Sequence, residues 1–289
     1  MITGSEGFVG RHLCAYLDSI KINYVGYDLV NGQDIRDLHQ LDKFFEENNV
    51  TEVVNLAALA GVRRGESYPA DYISTNINGV LNVVKMCEKY KVFHLVHYSS
   101  SSSYGESNPP IIEDFKKEPK SIYGITKLAG ERIVQSSNID QTTILIPFTI
   151  YGGDSESGCR KDSVIHKWIE QIKSHKSITI YGDGSSQRGY VYIDDIVRLT
   201  YKILNCWGQW EHEIFNVGGS EVISLKEIIG VFKKLVKSAT MGMVDSPSAD
   251  IYQNFADTSK IEALLQWKPE SKFIENVSNI IKKELNIKK

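Results

Sequence analysis

Cysteine is scarce. The four residues Cys14, Cys87, Cys159 and Cys206 are scattered without a C-x-x-C pair or any other metal-ligand spacing. That excludes a disulfide-stapled scaffold and a zinc module, and it fits reduced thiols in a cytoplasmic protein. The 7 histidines form no H-E-x-x-H or comparable cluster, so no metal site is expected. No apolar run reaches the ~20 residues of a membrane-spanning helix, and no signal-peptide pattern opens the chain. No membrane association is therefore expected. Positive charge is not in excess either: 33 Lys and Arg stand against 36 Asp and Glu, a net charge of −3. With no basic and aromatic stripe, nothing marks a nucleic-acid partner.

What remains is ordinary for a folded enzyme-sized chain: 289 residues, 42% hydrophobic and 24% charged. The first distinctive stretch is Thr3 to Gly10, Thr-Gly-Ser-Glu-Gly-Phe-Val-Gly. Gly4, Gly7 and Gly10 fall between a short apolar strand and an amphipathic helix. Gly4 permits a sharp turn, Gly7 lets backbone approach a pyrophosphate, and Gly10 lets helix pack on strand. The helix start then offers free N–H groups to phosphates. Only Met1 and Ile2 precede Thr3, which is short for a central strand and is expected of a trimmed or mis-started beginning. A second strand over residues 22–28 ends in Asp28, close to the spacing at which a carboxylate grips the adenine ribose of NAD. An acid there repels a 2′-phosphate, favouring NAD over NADP; the alternative is a solvated charge at a strand end.

Further along, residues 38–45 read as helix and residues 52–57 as a third strand ending in Ala57-Ala58. That small pair suits either a flat ligand beside the backbone or tight packing. Residues 61–65 read as loop, and 71–90 as one long helix with apolar residues on more than one side. A fourth strand over 92–98 runs into five serines, Ser99 to Ser103, expected at the carboxyl edge of the sheet where open α/β sheets bind ligands. A helix from Ser121 to Val134 and a strand over 143–146 follow. The alternation indicates a doubly wound α/β fold, a Rossmann-type parallel sheet over residues 1–146 with crossings from later segments. From residue 147 the rhythm breaks, and 147–289 is expected to be a smaller C-terminal lobe.

Tyr123 and Lys127 lie one helical turn apart on one face. Of the 15 tyrosines only this one has lysine at that spacing, although a surface pair has the same pattern. An ammonium beside a phenol favours the phenolate, and a positive nicotinamide ring adds to the effect. Such a phenol can take a proton from a sugar hydroxyl. Ser100 is placed to share that hydrogen bond.

Together these residues resemble the extended short-chain dehydrogenase/reductase family of NAD-dependent nucleotide-sugar epimerases and dehydratases. The likeness runs through Gly4–Gly10, Asp28, Asp34-Ile35, Leu56-Ala57-Ala58, Thr75-Asn76, the serines before Tyr104-Gly105, Tyr123-x-x-x-Lys127, Gly182-Asp183-Gly184-Ser185, Arg188 and the closing Ala256-Asp257 to Pro269 stretch. It implies Tyr123 as base, Lys127 on the nicotinamide ribose and Ser100 on the substrate hydroxyl. It implies a cofactor pocket of Gly4, Gly7, Phe8, Val9, Gly10, Asp28, Asp34, Ile35, Leu56, Ala57, Ala58, Asn76 and Tyr98, with Tyr123 and Lys127. It also implies a nucleotide-diphosphate sugar as substrate, met by Ser100, Ser101, Thr149, Arg160 and Arg188, with the second lobe holding the nucleotide. A homodimer built from the 71–90 helix and the helix of Tyr123 belongs to the same implication.

The 4,6-dehydratases of this family carry an Asp-Glu pair where this chain has Ser101 and Ser102, which argues against dehydration. Phe148-Thr149-Ile150-Tyr151-Gly152 and the serine run are most similar to the 4-epimerases, UDP-glucuronate 4-epimerases foremost. Four departures stand out: Ile146 where arginine is usual, Pro147 where an aromatic or similar residue is usual, Gly189 where aspartate follows Arg188, and a shortened loop after Asp28 that clips the adenine pocket. The competing expectations are a reductase or dehydrogenase using exchangeable NAD(P)(H), and a non-catalytic NAD-binding regulator.

Overall fold

The structure, a computed structural model, describes residues 1–245 and 252–287. It divides into two compact units, the first made of Met1–Ser107, Glu113–Pro147 and Ile196–Val217, the second of Asn108–Ile112, Phe148–Asp195 and Gly218–Lys289.

In the first unit, strands β1 (Ile2–Thr3), β2 (Gly26–Tyr27), β3 (Glu52–Asn55), β4 (His94–Tyr98) and β5 (Gln141–Pro147) join strand His212–Val217 in one sheet. The order is β2-β1-β3-β4-β5 and then His212–Val217, and every pairing is parallel. β4 and β5 are buried at every position, as strands must be when helices cover both faces. The chain steps from β1 outward to β2 and then back past β1 to β3, so the sheet reverses direction there. A crevice forms at such a reversal, beyond the carboxyl ends of the strands.

The helices are α1 (Phe8–Ser19), α2 (Leu38–Asn48), α3 (Val62–Ser67), α4 (Pro69–Ile73), α5 (Val80–Lys89) and α6 (Ile122–Gln135). Asp37 and Ser121 cap α2 and α6 by accepting from Gln40 N and Gly124 N. Three local expectations are corrected. Of the expected 61–65 loop, residues 62–65 are helix, the start of α3, and the Tyr72 hydroxyl braces the carbonyls of Ala60 and Gly61 just before it. The expected 71–90 helix is interrupted by a π-helical turn, Ser74–Gly79. β2 is shorter than residues 22–28.

The second unit centres on strand Gln187–Tyr192, flanked by Val222–Ser224 antiparallel and by Thr149–Tyr151 and Gln253–Asn254 in parallel. Its core packs Tyr151, Trp168, Ile169, Phe232, Phe273 and Val277 between sheet and helices. Helix Leu225–Leu235 starts with a capping box of Ser224 and Glu227. Among the described residues, no helix is long and apolar enough to cross a membrane.

Candidate active site

The glycine turn is built as a cradle. Gly4 leaves β1 at φ +69°, and a Cβ there would sit 2.8 Å from the Ala57 nitrogen. A Cβ on Gly10 would lie 2.1 Å from the Gly4 oxygen, so α1 rests against the turn only because that position is bare. Gly7 caps α1 without any side-chain hydrogen bond, and its Cβ would meet only the Gly4 oxygen at 3.1 Å. The first turn of α1, opening with Phe8 and Val9, therefore carries N–H groups with no side-chain cap and a positive dipole end. This is an anion seat of pyrophosphate type, and the residues present fit a dinucleotide there.

The floor of the crevice is stitched by side chains that the sequence patterns did not single out. Thr3 Oγ1 donates to Asn55 Oδ1 at 2.6 Å and accepts from Ala57 N at 3.1 Å. The Asn55 amide nitrogen lies 3.1 Å from His97 Nδ1. Thr3, Asn55 and His97 sit on three neighbouring strands, a relation that no local periodicity encodes.

Asp28 accepts from Glu6 N and Val30 N, both at 2.9 Å, tying the end of β2 to the glycine turn. Asp34 is held by the Arg36 guanidinium, whose Nη2 lies 2.6 Å from its Oδ2, and this hydrogen bond keeps its carboxyl below the usual range. Ile35 is buried beneath Gly79, where an added Cβ would sit 2.5 Å from its Cδ1. Leu56, Ala57 and Ala58 are half-buried after β3. Asn76, in the π-helical turn, braces that loop by accepting from Leu59 N at 2.8 Å and donating to Leu59 O at 2.9 Å. The Tyr98 ring is buried, with its hydroxyl against Thr200.

α6 brings the proposed catalytic groups beside the serine run. Gly124 lets the Ser102 carbonyl approach so closely that a Cβ would be 2.3 Å from it. Ser101–Ser103 form a packed 3-10 turn, capped by Ser100, whose Oγ accepts from Ser102 N at 3.2 Å. Ser100 is half-buried and Ser101 buried. Tyr123 is half-buried, its ring edge-on to Tyr72 at 6.1 Å. Lys127 is buried and its Nζ donates to the Tyr98 carbonyl. Burial pushes the Lys127 ammonium down to about 8, against the pull of Glu131. A lysine titrating there exchanges protons readily near neutral pH.

The three other expected residues lie in the second unit. Thr149 is half-buried on its short strand. Arg160 pairs with Asp162, Nε to Oδ1, at 3.0 Å. Arg188 donates from Nη1 to the carbonyls of Gln187 and Tyr252, at 2.8 and 3.1 Å.

The model of the NAD dependent epimerase/dehydratase family matches residues 1–218. The chain is 34% identical to the UDP-glucuronate 4-epimerase of Thermodesulfobacterium geofontis (strain OPF15) over 312 aligned residues, covering 97% of this chain and 94% of that one. It is similar in fold to the UDP-glucuronic acid 4-epimerase of Bacillus cereus, solved with UDP-glucuronic acid and NAD, at a TM-score of 0.84 and 29% identity, covering 99% of each chain. It is likewise similar to MoeE5, solved with UDP-glucose and NAD, at a TM-score of 0.89 and 26% identity, covering 99% of this chain and 97% of that one. A match that begins at the first strand and continues through the return to the sheet at Val217 leaves one conclusion: this chain belongs to the NAD-dependent epimerase/dehydratase family, within the extended short-chain dehydrogenases/reductases.

Proposed function

We propose that the protein is a nucleotide-sugar 4-epimerase acting on UDP-sugars, with UDP-glucuronate the first substrate to test. The observation that carries this reading is the serine turn. It places hydroxyls, and no carboxylate, at positions 101 and 102, beside the helix of Tyr123 and Lys127. Dehydration needs a further acid and base for its second step; epimerisation at C4 does not.

Gly4, Gly7 and Gly10 with the start of α1 would hold the cofactor's pyrophosphate, Asp28 its adenine ribose and Lys127 its nicotinamide ribose. Bound there, NAD would supply a reversible acceptor for the hydride of C4. Tyr123 Oη takes the proton of the C4 hydroxyl and later returns it. Lys127, charged below about pH 8, favours the phenolate form of Tyr123. Ser100 Oγ hydrogen-bonds the same sugar oxygen and holds it in line. Between the two half-steps the flat 4-keto sugar must turn over, which small hydroxyl side chains at Ser100 and Ser101 permit. Arg188 and Arg160 meet the diphosphate or the sugar carboxylate, and Thr149 lines the sugar site.

The reading includes a homodimer through α5 and α6, supported by the apolar residues Leu81 and Ile125, which are 38% and 47% exposed. Light scattering on the purified protein tests it. For the reaction, a panel of UDP-, GDP-, CDP- and dTDP-sugars is assayed with and without added NAD. Interconversion of C4 epimers at catalytic amounts of NAD supports the proposal. Turnover only with stoichiometric reduced or oxidised cofactor replaces it with a reductase or dehydrogenase.

A further inference from the structure

Behind the serine turn lies a buried charged cluster for which the mechanism above has no use. Glu131 is one turn beyond Lys127 on α6, and its side chain is 1% exposed. Both carboxylate oxygens are engaged: Oε1 accepts from the Ser99 hydroxyl and Oε2 from Lys117 Nζ. The Lys117 side chain is itself only 6% exposed and its ammonium lies 4.8 Å above the Tyr104 ring. Tyr104 in turn donates to Asn216 Oδ1 at 2.7 Å.

A buried ion pair costs desolvation on both sides and is often no more stabilising than apolar residues of the same volume. Stability alone gives no reason for one here. Its position does. Ser99 is the residue before Ser100, and its backbone N–H is already fixed on Leu145 O at 2.8 Å. Holding its hydroxyl as well fixes the direction in which the chain enters the turn. On the other side, Glu131 faces Lys127 at the spacing where helical charges interact, and its charge opposes the effect of burial on that ammonium.

We propose that Glu131 and Lys117 are positioning residues for the reaction: the carboxylate, anchored by Lys117, sets the orientation of Ser99 and so of Ser100, and holds Lys127 in its charged form. The proposal rests on the roles given to Lys127 and Ser100 above. The charged and titratable groups around the cluster are His97 on β4, Glu113, Asp114 and Lys117 before α6, Tyr104 after the serine turn, and Lys127 and Arg132 on α6.

The test is NAD binding, followed by calorimetry from about pH 6 to pH 10, on the wild type and on Glu131→Gln, Lys117→Gln and Ser99→Ala. Wild-type affinity should fall as Lys127 loses its proton, near pH 8. Glu131→Gln should move that midpoint to lower pH, and Lys117→Gln to higher pH, because each removes a charge of opposite sign. Ser99→Ala should leave the midpoint in place and lower kcat roughly ten- to a hundredfold at unchanged NAD affinity. If Glu131→Gln does not fold, Lys117→Gln and Ser99→Ala carry the test. Coincident midpoints in the charge variants, or wild-type kcat in Ser99→Ala, overturn the inference. Failure of the wild type to turn over any nucleotide sugar would overturn the functional reading instead, while the NAD titration would still decide the role of the cluster at Lys127.

Discussion

Lys127 donates from Nζ to the carbonyl oxygen of Tyr98, so a buried ammonium on α6 is tied to the last residue of β4. The serine turn follows that residue directly. One hydrogen bond thus fixes the distance between the helix that carries the phenol and the loop that carries the substrate-orienting hydroxyl.

Replacing that lysine should separate stability from function. In Lys127→Met the desolvation cost that drives the ammonium down to about 8 disappears, and the stem packs as before. The lost hydrogen bond to the Tyr98 carbonyl offsets that gain, so the melting temperature should change little, while kcat falls by roughly 10²–10⁴ and NAD binding weakens. Calorimetry and steady-state kinetics on the same preparation check this; unaltered kinetics would contradict it.

The glycines divide in the same way. Gly10→Ala places a methyl 2.1 Å from the Gly4 oxygen and should destabilise the fold by about 1–3 kcal/mol or more, as overpacking does. Gly7→Ala meets one atom at 3.1 Å and should keep nearly full stability while reducing NAD affinity. Denaturant midpoints and NAD titrations on both variants distinguish the two effects. Equal loss of stability would contradict the assignment of Gly7 to the cofactor.

Acid should weaken the first unit through its buried imidazoles. Among the described residues, His94 Nδ1 and His97 Nε2 are buried with no hydrogen-bond partner, the Glu52 carboxylate standing off at 4.0 Å from His94 Nδ1, and burial lowers His94 from 6.5 to about 4 and His97 well below 6.5. The folded state then binds fewer protons than the unfolded chain. Stability is full above the unfolded value of about 6.5 and is lost as pH falls towards the folded value. For His94 the loss from pH 7 to pH 5 is about 2 kcal/mol. Denaturant unfolding at the two pH values, repeated on His94→Gln, measures it. An equal acid loss in the variant would contradict the assignment to His94.

The parts of the fold that local sequence encodes were legible. Gly4 and Gly10 mark the cradle because glycine alone meets their steric demands, and Ser121 marks the start of α6 because a hydroxyl there accepts from Gly124 N. The π-helical turn Ser74–Gly79 was not legible. Apolar periodicity reports which side of a helix is covered, and it is insensitive to a one-residue slip in hydrogen bonding. The serine run was legible in place, at the end of β4, but not in shape: packing against Gly124 makes Ser101–Ser103 a turn. The cluster of Ser99, Lys117 and Glu131 joins residues 32 and 14 positions apart, beyond the reach of any spacing rule. Its residue types, a lysine inside the charged run Lys116-Lys117-Glu118 and a glutamate beside Arg132, read as surface until the fold buries them.

The most direct test of the central claim is Tyr123→Phe, assayed for interconversion of C4 epimers alongside its NAD content. Loss of the hydroxyl leaves the ring and its edge-on contact with Tyr72 in place, so the variant should fold and bind NAD as the wild type does. Turnover should drop by roughly 10²–10⁴. Epimerisation at near wild-type rate would remove Tyr123 from the chemistry and contradict the account.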